Sequence, residues 1–141
     1  MKIQPLESAS GIEIAFPVLK LLRPHLVFQE YTALYEAARV ADGYALVGGF
    51  EDPVLVAVMG YRILSDFVHG RHLYVDDLIV IPEKRSCGIG AALLEYAETK
   101  AFELGCSGLR LCTGIENEAG KRFYEREGWS ARAVAFKKAL S

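Results

Sequence analysis

Val80-Ile81-Pro82-Glu83-Lys84-Arg85-Ser86-Cys87-Gly88-Ile89-Gly90-Ala91-Ala92-Leu93-Leu94 joins two different periodicities. Before it, Tyr74-Val75-Asp76-Asp77-Leu78-Ile79-Val80 is a run of strand formers. After it, Leu93, Leu94, Ala97, Ala101 and Leu104 fall on one helical face. The order is therefore strand, glycine-bearing turn, helix. Such a turn leaves the backbone N–H groups of Ser86, Cys87, Gly88, Ile89, Gly90 and Ala91 at the positive end of the helix dipole, where phosphate oxygens bind. Gly88 and Gly90 lack a Cβ, so a pyrophosphate can come close to the backbone. The same glycines would also suit a plain strand-to-helix turn.

Two familiar phosphate motifs fail here. The dinucleotide fingerprint requires a third glycine three residues after the second, and Leu93 stands there. The P-loop requires four residues between its glycines, then Lys and Ser or Thr. Gly114 and Gly120-Lys121-Arg122 have five between them and end on Arg.

Composition narrows the field further. A chain of 141 residues fits one domain spanning 1–141. With 52% apolar residues it can bury a substantial core. The net charge of −2, without long runs of like charge, gives no sign of a nucleic-acid surface. No apolar run is long enough to span a membrane, and Met1-Lys2-Ile3-Gln4-Pro5 lacks a signal-peptide core. Cys87, Cys106 and Cys112 are odd in number and lack metal spacing, so they read as reduced thiols of a cytoplasmic protein. His25, His69 and His72 have no carboxylate or cysteine partner at ligand spacing, so no metal is expected.

Taken in order, residues 1–6 form a short strand and 7–13 are weakly patterned. Ile14 to Leu22 reads as a short helix stopped before Pro24. Phe28, Tyr31, Leu34, Tyr35 and Ala38 give an amphipathic helix over 27–42. Tyr44 to Phe50 and Val54 to Leu64 form a hairpin around Glu51-Asp52-Pro53. His72 to Ile81 is a central strand. Leu109 to Thr113 follows the helix and should run parallel to the 72–81 strand through a right-handed crossover. Asn117 caps a helix through Glu127, and Ala133 to Leu140 is a last strand. The order β-α-α-β-β-β-α-β-α-β describes an α/β domain with a mixed, mostly antiparallel sheet flanked by helices.

Arg85-x-x-Gly88-x-Gly90, behind its strand, resembles the acetyl-CoA signature of the GNAT (GCN5-related) N-acetyltransferase family. Asn117 to Trp129 resembles that family's second hallmark, Asn-x-x-Ala-x-x-Phe-Tyr-x-x-x-Gly-Phe. Here Ala falls at 119 with Gly120 after it, and Trp129 replaces the final Phe. Gly70 to Leu78 is similar to a segment of small bacterial members, and the element order matches the family's. The resemblance spans roughly residues 44–140 and implies acetyl-CoA as co-substrate, with no metal. It implies that Leu78, Ile79 and Val80 offer backbone hydrogen bonds to the pantetheine arm. Ser86 to Ala91 would hold the pyrophosphate, with Arg85 flanking it, and Asn117 would hold the cofactor arm or the helix start. Tyr124 would be the general acid.

The residues bear on that chemistry independently. A phenol with a pKa of about 10 stays protonated at neutral pH and can give its proton to a departing thiolate. Tyr124 could equally be a core aromatic beside Phe123. The acceptor amine, with a pKa of about 10.4, is neutral in only about one molecule in two thousand at pH 7. A base is therefore needed. Asp76 and Asp77 are the candidates, and strand alternation lets only one face the reaction. Some family members carry a carboxylate at the position of Asp76, which favours it. Others use a Glu on the next strand, where this chain has Cys112. Both aspartates could instead bind backbone groups or an arginine.

The expected reaction is direct attack of a primary amine on acetyl-CoA in a ternary complex, with backbone N–H groups of 78–80 polarising the carbonyl. No histidine stands where it would activate Cys87 or Cys112, so a covalent route is not expected. The rival is a non-catalytic acyl-CoA-binding sensor or interaction module on the same fold. Residues 22–31 and 64–72, with Arg23, Glu30, Asp66 and Arg71, are expected to shape the pocket for a small-molecule or peptide amine. Neither a nucleic acid nor a membrane is an expected partner, and a homodimer would cover open strand edges.

Overall fold

Strand pairing in the computed structural model, which describes residues 1–141, runs β1-β2-β3-β4-β5 in sequence order. The strands are β1 (Lys2–Pro5), β2 (Ala45–Glu51), β3 (Val54–Asp66), β4 (Gly70–Val80) and β5 (Gly108–Leu111). The helices are α1 (Ala9–Leu22), α2 (Phe28–Asp42), α3 (Ile89–Glu103) and α4 (Glu118–Arg126). The residues group into two units, Met1–Arg110 and Leu111–Ser141, which are described separately.

In the first unit β1 to β4 pair antiparallel. β5 starts beside the N-terminal part of β4. Ser107 N–H donates to Arg71 O at 2.8 Å, and further along Arg110 reaches His72 and Tyr74. The two strands thus run the same way, and the sheet is mixed. One sheet face carries a core of Ile12, Ala15, Val18 and Leu19 from α1, Tyr31 from α2, and Leu46, Phe50, Val58 and Ile79 from the strands. α3 packs against β3 and β4 through the apolar stripe that its sequence sets out, with Leu93, Leu94, Ala97 and Ala101 buried. Truncating Leu93, which is fully buried, should cost about 2–5 kcal/mol.

α1 starts at Ala9, well before the expected Ile14. Ser8 caps it by accepting from Gly11 N–H at 3.0 Å, and Pro17 lies inside it. Serine, glycine and proline mask the helical pattern of this stretch, and burial of Ile12 and Ala15 against the sheet overrides their weak propensity. In the second unit α4 forms as expected behind its Asn117 cap. The strand expected at Ala133–Leu140 is not formed: residues 129–141 carry no regular structure, and Val134, Phe136 and Leu140 are exposed. A strand exists only through its ladder partner, and the short apolar runs of this segment cannot specify one. No helix of the chain is long and apolar enough to cross a membrane.

Candidate active site

The turn before α3 is built by sequence-local means. β4 ends at Val80, Ile81 N–H donates back to Val56 O at 2.9 Å, and Pro82–Lys84 form one 3-10 turn. Lys84 Nζ pairs with Glu51 Oε1 at 2.7 Å, tying this turn to the β2–β3 hairpin. Ser86 then takes φ +63° and Gly88 φ +80°. The second value is a left-handed conformation that glycine adopts without cost, so Gly88 serves the backbone path. No side chain caps α3. The backbone N–H groups of Ser86 to Ala91 donate to no backbone carbonyl, and the first such bond of the helix is Ala92 N–H to Gly88 O. Arg85, Ser86, Cys87 and Gly88 are exposed, whereas Ile89 is buried and Gly90 and Ala91 are half-buried. Ile89 thus anchors the turn while the residues before it are exposed.

The end of β4 divides its backbone. Val58 pairs with Ile79, and Ile81 donates to β3. An antiparallel ladder alternates, so Leu78 and Val80 turn their N–H groups away from β3 and Ile79 turns its own toward it. The three residues expected to meet a cofactor arm are therefore not equivalent.

Asp76 and Asp77 part company for the same reason. Asp76 sits with Arg62, which donates from Nε to Oδ2 and from Nη2 to Oδ1, both at 2.8 Å. Such a fork satisfies both carboxylate oxygens in one plane. Asp77 lines a cavity of about 240 Å³ between α1, α2 and the sheet. Its Oδ1 accepts from Arg23 Nε at 3.1 Å, and its Oδ2 accepts from the Tyr44 hydroxyl at 2.6 Å. Arg23 also donates to Asp76 O at 3.0 Å, so the end of α1 is fixed to β4. Burial, and then the adjacent Asp77 carboxylate, push the Tyr44 phenol far above its ordinary range, so it remains a donor.

Gly60 makes this arrangement fit. It pairs with Asp77 across the β3–β4 ladder, beside a register shift. A Cβ built on Gly60 would fall on the Tyr44 hydroxyl. Apart from His25, the remaining wall is apolar and aromatic: Leu19, Leu26 and Leu46 on one side, Tyr31, Leu34, Tyr35 and Ala38 of α2 on the other. The cavity thus takes lining from residues 22–31 and none from 64–72. Asp66 and Arg71 are used elsewhere.

Asp66 is at the opposite end of the β3–β4 hairpin. It accepts from His69 N–H at 2.6 Å, and these bonds hold its carboxyl below the usual range. His72 is buried; its Nδ1 lies 3.0 Å from Gly70 O, and Arg110 Nε donates to its Nε2 at 3.2 Å. The expectation that these histidines lack a carboxylate partner is thereby corrected. The hairpin brings Asp66, His69 and His72 within 4.8 Å of one another, although the Nε2 of His72 already receives Arg110. The spacing in sequence hides this because the residues meet across a turn.

In the second unit Asn117 Oδ1 accepts from Gly120 N–H at 3.0 Å, and its Nδ2 donates to Thr113 Oγ1 at 3.0 Å. A Cβ at position 120 would collide with the Asn117 amide, which accounts for glycine there. Tyr124 is half-buried, packed edge-on to Phe123 at 5.1 Å and to Trp129 at 6.1 Å between ring centres. Burial raises its phenol above the ordinary value, so it is protonated throughout the neutral range. Cys87 and Cys112 are exposed free thiols.

Sequence reading missed Tyr44 and Gly60 as site residues. The signal for them is non-local, since each is meaningful only once β2 and β3 pair around Asp77.

Comparison with known proteins agrees with this geometry. The sequence profile of the Acetyltransferase (GNAT) family matches residues 14–129. The chain is 28% identical over 125 residues to a Bacillus subtilis protein named Uncharacterized N-acetyltransferase YhdJ, covering 88% of each chain. It is 38% identical over 66 residues to the aminoalkylphosphonate N-acetyltransferase of Salmonella typhimurium, covering 47% of this chain and 43% of that one. Its fold is similar to that of AAC(6')-Iy, solved in complex with a bisubstrate analog, CoA-S-monomethyl-acetylneamine. The TM-score is 0.84 and the identity 20%, over 99% of this chain and 98% of that one. The profile match spans most of the chain and takes in the turn, Asp77 and Tyr124, so this protein belongs to the acetyltransferase (GNAT) family.

Proposed function

We propose that the protein transfers the acetyl group of acetyl-CoA to a primary amine, by direct attack in a ternary complex. The observation that carries this reading is the Ser86–Ala91 turn. A run of backbone N–H groups without backbone acceptors at a helix start, with the positive φ of Gly88 within it, suits the pyrophosphate of CoA. Arg85, exposed beside it, adds a cation. Leu78 and Val80, with N–H groups free of β3, serve the pantetheine arm and the thioester oxygen.

On the acceptor side the surroundings favour Asp77 over Asp76. Asp76 is held in a fork by Arg62, whereas Asp77 borders the cavity and keeps lone pairs beyond the two that it shares. The incoming ammonium is drawn to Asp77 and gives up its proton there. The neutral nitrogen attacks the thioester carbon, the C–S bond breaks, Tyr124 gives its proton to the departing thiolate, and the second proton lost by the nitrogen restores the Tyr124 phenol, while the first leaves Asp77 for solvent. Reaching the neutral amine costs about 4–5 kcal/mol at pH 7, which the adjacent carboxylate offsets. Asn117 serves as the cap of the helix that carries Tyr124.

The test is release of free CoA thiol from acetyl-CoA across a panel of amines, in the wild type and in Tyr124→Phe. Amine-dependent release that falls sharply in the variant supports the reading. Binding of acetyl-CoA with no release for any amine would replace the enzyme with a sensor.

A further inference from the structure

The lining of the Asp77 cavity says what kind of amine fits it, an inference that rests on the transferase reading above. Its charge sums to zero: Asp77 is the one carboxylate in the wall and Arg23 the one guanidinium, and they are already paired at 3.1 Å. Two of the three tyrosine hydroxyls are also committed, which leaves the Tyr35 hydroxyl and the His25 ring as the neutral polar groups of the lining. Tyr44 donates to Asp77, and Tyr31 donates to Ile12 O at 2.6 Å. Both tyrosines therefore offer ring carbons to the cavity. Tyr35 stands edge-on to Tyr44, with 6.2 Å between ring centres, and Leu19 and Leu26 complete an apolar wall.

A polyamine or amino sugar entering here would bring several ammonium groups and find one carboxylate. The further charges would be desolvated beside Arg23 without a counter-ion. A single ammonium on an apolar body meets the opposite situation. Its charge goes to Asp77, and its body replaces water against tyrosine rings and leucines. Size points the same way: a cavity of about 150 Å³ admits benzene, and this one is about 240 Å³. We propose that the acceptor is a monoamine on a compact apolar or aromatic body, of the arylalkylamine class.

The experiment compares 2-phenylethylamine, spermidine and neamine as acceptors by thiol release, and titrates 2-phenylethylamine into the CoA-loaded protein by calorimetry. The expected kcat/KM for 2-phenylethylamine exceeds that for either polycation at least about tenfold, the worth of burying one ring. Leu34→Glu, at an exposed position on the rim, should narrow that ratio several-fold by giving a second ammonium its partner. Preference for spermidine or neamine, with 2-phenylethylamine inert, would overturn the acceptor class and leave the transferase standing. Calorimetric binding of 2-phenylethylamine without thiol release from any amine would support the pocket's chemistry and sink the transferase. Neither binding nor turnover of 2-phenylethylamine would overturn the inference.

Discussion

The Ser86–Ala91 turn and the Asp77 cavity treat charge in opposite ways. In the turn, the backbone N–H groups donate to no carbonyl and have one exposed arginine beside them. In the cavity, recognition falls to side chains that are already paired, Asp77 with Arg23 and Tyr44, and Tyr31 with a carbonyl. The first arrangement holds a strong surplus of positive potential and suits a multiply charged ligand. The second is close to neutral and suits a ligand with one charge and an apolar remainder. On the proposed reading, one unit carries a site for a charged carrier and a site for a weakly polar acceptor.

Substitutions can set the two apart. The largest effect is expected at the proposed general acid. Tyr124→Phe should lower kcat by about 10²–10⁴-fold with little change in acetyl-CoA affinity. Because burial raises its pKa, wild-type kcat should show no loss from its ionisation until the pH exceeds about 10. Next, Asp77→Asn should lower kcat/KM for the amine by about 10²-fold while calorimetric acetyl-CoA binding holds. Asp76→Asn should instead loosen the Arg62 fork and show mainly in the melting temperature. Equal kinetic effects of the two would break the comparison.

Gly88→Val should act on the carrier site alone. Forcing a β-branched residue to φ +80° costs about 1–3 kcal/mol, which the turn can shed only by changing its path. Acetyl-CoA affinity should fall about tenfold or more, with amine binding preserved. The smallest expected effect is on stability. Tyr44→Phe leaves Asp77 Oδ2 without its donor and should cost about 1–3 kcal/mol in denaturant unfolding. Its pH dependence follows from linkage. Tyr44 resists ionisation in the folded state but ionises near pH 10 when unfolded. Wild-type stability is therefore lost as the pH rises past 10, and Tyr44→Phe should show a shallower loss.

The turn was readable in sequence because everything that makes it lies within about fifteen residues of chain. A β-branched run, two glycines and a helical stripe fix it locally. The cavity was only half readable. Asp77 stood out as one of two candidates, but its distinction from Asp76 depends on which face of β4 meets α1. That in turn depends on Arg23, Tyr44 and Gly60, which are far apart in sequence. α1 was underestimated because its start carries serine and glycine and its middle carries Pro17, all poor helix formers held by the core. Ala133–Leu140 shows the reverse error, since an apolar run broken by two lysines has no ladder to join.

The most direct test is to incubate the protein with acetyl-CoA and 2-phenylethylamine and to measure free thiol and N-acetylated amine together. The account predicts equal amounts of both, dependent on the amine, and strongly reduced in Asp77→Asn and Tyr124→Phe. Tight binding of acetyl-CoA with no amine-dependent thiol, for this or any other amine, would contradict it.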